Sequence, residues 1–185
     1  MKILGVVCSP RQRGNTDILV NTALESAERE GAEVELWSYV GKTVMPCDHC
    51  KSCFKKGECH FKDDMQDLYL KMIGADGIIF GSPVYFWSVS AQAKLVIDRT
   101  YALRRPTNKL RGKVGGAIVV AGRQGQIGAL TVINNFFLGQ GMMPTGLGVN
   151  GRGSDKGDVK KDERALTDAV ELGRRMVEII LRMQQ

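Results

Sequence analysis

Strand-like and helix-like segments alternate along this chain from end to end, and that alternation limits its possible folds more than any other feature. The first segment, Lys2 to Cys8, is a continuous apolar run of the kind that forms a strand buried on both faces of a parallel sheet. Four more strands are predicted at Ala32 to Trp37, Gly77 to Ser82, Lys113 to Ala121 and Pro144 to Val149. Helical spacing of apolar residues predicts helices at about Asn15 to Glu30, Asp63 to Ile73, Ser90 to Leu103, Ile127 to Gly139 and Asp162 to Gln184.

Strands that alternate with helices in this way predict an α/β fold, in which helices cover both faces of a parallel sheet. Right-handed crossovers leave few ways to wind five strands, and the flavodoxin-like order 2-1-3-4-5 suits this length. Ligands of such sheets bind beyond the carboxyl ends of the strands, near the point where the strand order reverses. We expect residues 1–185 to form a single domain with a cysteine-rich insertion at about residues 41–62.

Composition excludes several classes of function. No apolar stretch approaches the ~20 residues that span a bilayer, and the first residues indicate a strand rather than a signal peptide, so we expect a cytoplasmic protein without membrane contact. The net charge is +6, but Lys and Arg are scattered among acidic residues, so no nucleic-acid partner is predicted. A local basic cluster is either a solvated surface or a contact for an acidic redox partner or dinucleotide phosphates. It consists of Arg104, Arg105, Lys109, Arg111 and Lys113.

The segment CSPRQRGNT, which follows the first strand, has the character of an anion site. A strand, a short polar loop and a helix start present free backbone N–H groups and the positive end of the helix dipole. Neither the ATP-type phosphate loop nor the Rossmann dinucleotide fingerprint is present. Turn and capping chemistry would explain the same residues without a ligand, but the position at the first strand end favours phosphate. The candidate ligands are Ser9, Arg11, Gly14, Asn15 and Thr16.

Two further strand ends carry loops that suit a flat ring. GSPVYFW follows the third strand, and the glycine loop AGRQGQ follows the fourth. Such a ring needs an aromatic or aliphatic wall and a few hydrogen bonds to its polar edge. Ordinary core or interface packing is the alternative for Tyr85, Phe86 and Trp87. The candidate binding residues are Ser82, Pro83, Val84, Tyr85, Phe86, Gly122, Arg123 and Gly125.

Four of the five cysteines crowd into the pattern C-x2-C-x2-C-x5-C, formed by Cys47, Cys50, Cys53 and Cys59. Four converging thiolates are the usual ligands of a 4Fe–4S cluster. Zinc is the main alternative, with His49 and His60 within reach, but the third cysteine follows too closely for the two separated pairs of a structural zinc site. Four unrelated free thiols are the third interpretation. The fifth cysteine, Cys8, lies outside the motif and is expected to be a small buried residue.

The segments CSPRQRGNT, GSPVYFWSVSAQAKLVIDR and AGRQGQ, in this order, resemble the flavin-binding segments of the NAD(P)H-dependent FMN reductase branch of flavodoxin-like proteins. Together with the alternation of strands and helices, this likeness covers nearly the whole chain. The cysteine spacing, together with the flavin loops, resembles the iron–sulfur flavoproteins of anaerobic microbes. The resemblance implies that Ser9, Arg11, Asn15 and Thr16 hold the FMN phosphate, that Pro83, Val84 and Tyr85 line the isoalloxazine, and that Gly122, Arg123 and Gly125 approach its polar edge. It also implies a 4Fe–4S cluster on the four cysteines, and a homodimer or homotetramer. Residues 85–87 and 136–138 are candidate contact surfaces, and core packing is the alternative for both.

The predicted function follows from pairing these cofactors, because FMN transfers one or two electrons and a 4Fe–4S cluster transfers one. We expect electron transfer between a ferredoxin-like carrier and a small acceptor, for which the resemblance suggests oxygen, peroxide or a quinone. The alternative is an NAD(P)H-dependent FMN or quinone reductase whose cysteines bind zinc or are structural. A non-enzymatic FMN-binding redox sensor is the third possibility. No catalytic triad or carboxylate pair stands out, so no side chain is predicted to be catalytic.

Overall fold

The computed structural model describes residues 1–185. Its strands are β1 (Lys2–Val7), β2 (Glu33–Ser38), β3 (Gly77–Tyr85), β4 (Ser88–Val89), β5 (Val114–Ala121), β6 (Met143–Pro144) and β7 (Val149–Arg152). Its α-helices are α1 (Asn15–Arg29), α2 (Ser52–Lys56), α3 (Met65–Gly74), α4 (Ala91–Arg99), α5 (Gln126–Gly139) and α6 (Glu163–Met183). Two short 3-10 helices lie at Thr100–Arg104 and Asp158–Lys161.

The strands form one mainly parallel sheet in the order β2-β1-β3-β5-β6. β7 also pairs in parallel with β5, and β4 pairs antiparallel with the end of β3. The predicted α/β flavodoxin-like architecture is confirmed, but the prediction of five strands is wrong because the sheet has seven. The predicted strand Pro144–Val149 is interrupted by Gly146 and Gly148, whose φ values are 143° and 112°. The chain also turns back after Tyr85 and adds the short strand β4.

Helices cover both faces of the sheet and create two hydrophobic cores. α1 and α6 enclose one core with residues such as Leu19, Ile79 and Met176, while α3, α4 and α5 enclose the other. All eight residues of β5 are buried, as expected for a central parallel strand covered on both sides. The carboxyl ends of the strands stay uncovered and are available for a site.

None of the helices combines the length and the apolar character needed to cross a lipid bilayer.

Helices α1 and α6 approach each other closely at Gly173. A β-carbon at this position would overlap the Ala23 carbonyl oxygen and would lie 2.9 Å from Ser26 Cβ. The close approach also lets Ser26 Oγ donate a hydrogen bond to the Val170 carbonyl oxygen at 2.7 Å. Glycine is therefore the residue that this helix contact requires.

We expect Gly173→Ala to lower the free energy of unfolding by about 2 kcal/mol, because the added methyl group must push the two helices apart. Urea unfolding followed by circular dichroism would measure the change. Gly74→Ala, at the end of α3, is the matched control because nothing lies within 4 Å of its added methyl group. That control should be neutral or slightly stabilising, and equal effects of the two substitutions would contradict the packing argument.

Candidate functional site

A cavity of about 240 Å³ lies beyond the carboxyl ends of β1, β3, β5 and β7. We call it the strand-end cavity. It brings together eight of the thirteen residues predicted around a flavin, namely Ser9, Arg11, Asn15, Thr16, Pro83, Val84, Tyr85 and Gly122. Three further residues, Val120, Gly153 and Ser154, complete its lining.

One side of the strand-end cavity is the start of α1. Gly14 precedes this helix in an extended conformation, and no side chain caps it. The backbone N–H groups of Asn15, Thr16 and Asp17 have no hydrogen-bond partner within the protein. Ser9 Oγ lies at the same end and accepts the Arg11 N–H at 3.2 Å. Free N–H groups at the positive end of a helix dipole make this end of the cavity chemically suited to an anion such as phosphate.

The Asn15 side chain has a structural role that its sequence position did not indicate. Its Nδ2 donates to the Asp155 carbonyl oxygen at 2.8 Å, and its Oδ1 accepts the Gly157 N–H at 2.8 Å. The amide thus ties the loop after β7 to the start of α1. Both polar atoms of the side chain have a partner, and the group left free is the backbone N–H.

The loop after β7 lines part of the cavity but contains none of the predicted site residues. Arg11 Nη1 donates to the Ser154 carbonyl oxygen at 2.9 Å, which closes this loop over the cavity. A β-carbon on Gly122 would lie 2.6 Å from Ser154 Oγ, so glycine is needed where the two loops meet. The sequence Gly-Arg-Gly-Ser at residues 151–154 was an available signal, because it is another glycine-rich segment at a strand end. The predicted strand Pro144 to Val149 ends before β7 does, so this segment does not follow a predicted strand end directly.

The apolar wall of the cavity is formed by Pro83, Val84 and Tyr85, which lead into the β3–β4 hairpin. Phe86 and Trp87 form its tip, with φ values of 44° and 70°, and are 98% and 62% exposed. A β-carbon on Gly125 would lie 2.8 Å from Trp87 Cα, so this glycine lets the hairpin pack against the start of α5. Gly125 therefore positions the wall without lining the cavity.

Four other predicted binding residues also lie outside the cavity lining: Gly14, Ser82, Phe86 and Arg123. Ser82 is fully buried, and its Oγ accepts the Ser90 N–H at 3.0 Å, which fixes the start of α4. Arg123 and Phe86 are exposed. The expectation of a subunit contact at residues 136–138 is wrong for Phe136 and Phe137, since both are buried in the core.

All four predicted metal ligands line a second, partly open cavity, which we call the cysteine cavity. Its lining residues are Cys47, Asp48, His49, Cys50, Lys51, Cys53, Phe54, Cys59, Phe61, Asp98, Arg99, Tyr101 and Ala102. No residue lines both cavities. Within one chain the two sites are therefore built separately.

The backbone between β2 and α3 wraps around the cysteine cavity through left-handed residues. His49 and Lys51, with φ values of 57° and 61°, flank Cys50 and turn the chain on both sides of it. Non-glycine residues adopt this conformation rarely and at some energetic cost, which is common at ligand-binding loops. Cys53 lies in α2, and Gly57 ends that helix with a φ of 71°, leading the chain back to Cys59.

The thiols share one electrostatic environment but are not drawn tightly together. Burial raises the pKa of the Cys53 thiol, and the charges of the other three thiolates raise it further. No three of the four thiols lie within 4.8 Å of one another. A tetrahedral zinc ion, with Zn–S bonds of about 2.3 Å, would hold its sulfur ligands about 3.8 Å apart. Asp48, Cys50 and His60 do place three ligand atoms within 4.8 Å, and this exposed group is the arrangement that suits zinc.

We call the segment between β2 and α3, residues 39–64, the cysteine loop. A buried ion pair joins the two ends of this loop. Arg99, which is 1% exposed, binds Asp63 through Nη1–Oδ2 at 2.5 Å and Nη2–Oδ1 at 3.0 Å. Its Nη1 also donates to the Met45 carbonyl oxygen at 2.8 Å, and its guanidinium lies 4.9 Å from the centre of the Phe61 ring. Arg99 therefore joins the segment before Cys47 to the segment after Cys59, a role that no sequence pattern indicated.

Comparison with known proteins agrees with this geometry. The family model described as NADPH-dependent FMN reductase matches residues 1–153. An iron–sulfur flavoprotein of Methanocaldococcus jannaschii is 41% identical over 189 residues, covering 97% of each chain. One of Archaeoglobus fulgidus is 36% identical over 194 residues, covering 98% of each chain.

Among solved structures, a flavodoxin-type WrbA-like protein of Agrobacterium tumefaciens superposes with a TM-score of 0.70 at 17% identity. The superposition covers 98% of this chain and 97% of that one, which shows a shared fold. The family match covers most of the chain, and the relatives align over nearly all of it. The protein is therefore an FMN-binding oxidoreductase that belongs to the NADPH-dependent FMN reductase family and, within it, to the iron–sulfur flavoproteins.

Proposed function

We propose that this protein holds FMN in the strand-end cavity and a 4Fe–4S cluster in the cysteine cavity, and that it transfers electrons between a ferredoxin-like carrier and a small acceptor. The observation that carries the proposal is the convergence of all four cysteines on one cavity in a chain with a separate site for a phosphate-bearing ring. The two cofactors would supply the electron chemistry, and the protein would supply binding, orientation and access.

For FMN, the residues offer a polar end and an apolar end. The phosphate would lie against the free N–H groups at the start of α1, beside Ser9 and Arg11. The ring would lie along Val84 and Tyr85 in the β3–β4 hairpin. Gly122 lines the cavity where the loop after β5 meets the loop after β7. The polar end of the cavity thus suits the phosphate of FMN, and the apolar end suits its ring.

For the cluster, the donor set and its spacing fit. The four thiols face one cavity, and they are spread more widely than a tetrahedral zinc ion would hold them. A cube places its four thiolate ligands on separate iron corners, so a wider spread is expected of it. The second candidate function, an NAD(P)H-dependent FMN or quinone reductase with zinc-binding cysteines, is favoured by one observation, the close grouping of Asp48, Cys50 and His60.

The experiment that tests the proposal measures iron, acid-labile sulfide, zinc and flavin in protein purified without oxygen. We expect about four irons and four sulfides per FMN, as four-cysteine ligation of a cube requires. Cys50→Ser should lose most of the iron and sulfide while keeping FMN, because the two cavities share no residue.

Cys8→Ala is the control for this measurement, because Cys8 is buried in the core and lines neither cavity. It should keep both cofactors. Stoichiometric zinc with FMN would replace the proposal by the second candidate function, and turnover with NAD(P)H in place of reduced ferredoxin would confirm that replacement. Flavin without turnover from either donor would favour the redox sensor.

A basic surface beside the cysteine cavity supports an acidic one-electron carrier as partner. Lys55 and Lys56 are exposed on α2, and the Arg105 guanidinium lies 4.9 Å from the centre of the Phe54 ring of the same helix. Lys109 Nζ lies 3.5 Å from the Gly57 carbonyl oxygen, at the end of α2. Part of the predicted basic cluster thus adjoins the lysines of the cysteine loop. Such a surface steers acidic proteins to it, and the steering weakens as salt is added.

The remaining proposals concern assembly and location. We infer a homodimer or homotetramer, with the exposed hairpin tip at Phe86 and Trp87 as a contact surface. A cytoplasmic location suits a chain in which none of the five cysteines forms a disulfide, because that compartment keeps thiols reduced.

A further inference from the structure

We infer that the buried positive charge of Arg99, in the wall of the cysteine cavity, raises the reduction potential of the cluster. The negative charge of Asp63 opposes this effect. The inference rests on the proposed 4Fe–4S cluster and adds a function for residues that are not ligands. Arg99 would act on the cluster through its positive charge and through a hydrogen bond.

The first observation is an unused hydrogen-bond donor. Arg99 lines the cysteine cavity and is 1% exposed, and four of its five guanidinium hydrogens are on the nitrogens that bind Asp63 and Met45. Its Nε is buried and has no partner within the protein. Because buried donors are rarely left unpaired, this N–H is available to an acceptor held in the cavity that Arg99 lines. A thiolate ligand or a cluster sulfide is such an acceptor.

The second observation is the arrangement of charge around Cys59. Cys59 and Arg99 line the same cavity. The Tyr69 hydroxyl donates to the Arg99 carbonyl oxygen at 2.8 Å, which holds this part of the wall in place. Arg99 lines the cavity whereas Asp63 does not, so the positive member of the ion pair is the one that faces the ligands.

The positions of Arg99 and Asp63 determine whether each residue raises or lowers the reduction potential of the cluster. Reduction adds one electron, supplied by the one-electron carrier, and so makes the cluster more negative. A positive charge in the wall stabilises the reduced form more than the oxidised form, and charge and hydrogen bonds near the sulfurs are known determinants of such potentials. Poor screening inside the protein makes the effect of a buried charge large. Arg99 should therefore raise the midpoint potential, and Asp63 should lower it.

The test is a redox titration, monitored by electron paramagnetic resonance, of oxygen-free wild-type protein and the variants Arg99→Gln, Arg99→Lys and Asp63→Asn. We expect the cluster midpoint to fall in Arg99→Gln, to fall less in Arg99→Lys, which keeps the charge, and to rise in Asp63→Asn. The asparagine keeps an acceptor for Arg99, so this variant retains part of the pair. The FMN midpoint should stay unchanged in all of them, because the strand-end cavity contains neither residue.

Opposite shifts in Arg99→Gln and Asp63→Asn would support the inference, because a merely structural loosening would move both in the same direction. Wild-type potentials in both variants, with iron and sulfide still bound, would overturn the inference and leave the proposed function intact. Wild-type protein without iron and sulfide would overturn both. If Arg99→Gln does not fold, Asp63→Asn decides, and a midpoint at or below the wild-type value would overturn the inference.

Discussion

Replacing Asp63 by alanine is expected to lower the free energy of unfolding by about 3–5 kcal/mol, because it leaves Arg99 buried without its counter-ion. The Asp63 side chain is 8% exposed, and besides Arg99 it accepts the N–H groups of Met45 at 2.9 Å and Met65 at 3.2 Å. Its loss therefore removes the ion pair and two backbone hydrogen bonds together. The same residues close the cysteine loop, so the loop should loosen as well.

The pH dependence of this effect has a defined sign. Burial acts to raise the pKa of Asp63, but hydrogen bonds from Arg99 and the backbone outweigh it and hold that pKa below its ordinary value. A carboxylate of lowered pKa contributes stability above its unfolded pKa of about 3.9, and loses it as the pH falls through the folded value. The stability difference between wild type and Asp63→Ala should thus be full at pH 7 and shrink below about pH 4.

Urea unfolding at several pH values measures both effects. The neighbouring Asp64→Ala is the matched control: Asp64 pairs with Lys42 near the surface, and its side chain is 34% exposed. This control should cost about 1 kcal/mol or less at pH 7, in line with other exposed pairs. Similar losses for the two aspartates, or a difference that does not depend on pH, would argue against a buried pair at the base of the loop.

The sequence predicted the architecture because burial leaves a pattern that can be read locally. The continuous apolar runs at β1 and β5 indicated strands covered on both faces, and these strands are buried as predicted. The fifth predicted strand failed because its interruption depends on the conformation of Gly146 and Gly148. Apolar spacing alone does not show where a strand breaks or where a hairpin adds one.

The site was predictable where function depends on residues adjacent in the sequence, such as the segments at the strand ends. It was not predictable where distant segments meet. Asn15 fits a helix start in the sequence, yet its amide holds residues 155–159. Arg99 lies in an ordinary helical pattern, and its pairing with Asp63 exists only once α3 and α4 are packed. Such contacts depend on tertiary structure, for which a single sequence contains no local signal.

Replacing Thr16 by glutamate is expected to weaken FMN binding by about 100-fold, or about 2.8 kcal/mol, while leaving riboflavin binding unchanged. Thr16 is buried at the start of α1 and lines the strand-end cavity beside the free N–H groups. A carboxylate there can accept hydrogen bonds from those N–H groups and is stabilised by the positive end of the helix dipole, so the helix should persist. It would also repel the FMN phosphate. The phosphate would lose the charge-assisted hydrogen bonds that the N–H groups at the start of α1 otherwise donate to it. Riboflavin carries no phosphate and therefore reports on the ring site alone.

Fluorescence titration of the flavin-free protein with each ligand gives both dissociation constants. Thr22→Glu is the matched control, because it makes the same change one to two turns further along α1 and outside the cavity lining. A variant that loses both ligands equally would indicate damage to the fold, and one that binds FMN as wild type does would place the phosphate elsewhere. A selective loss of FMN would locate the phosphate at the start of α1, and the ring would then lie along Val84 and Tyr85, the apolar wall of the same cavity.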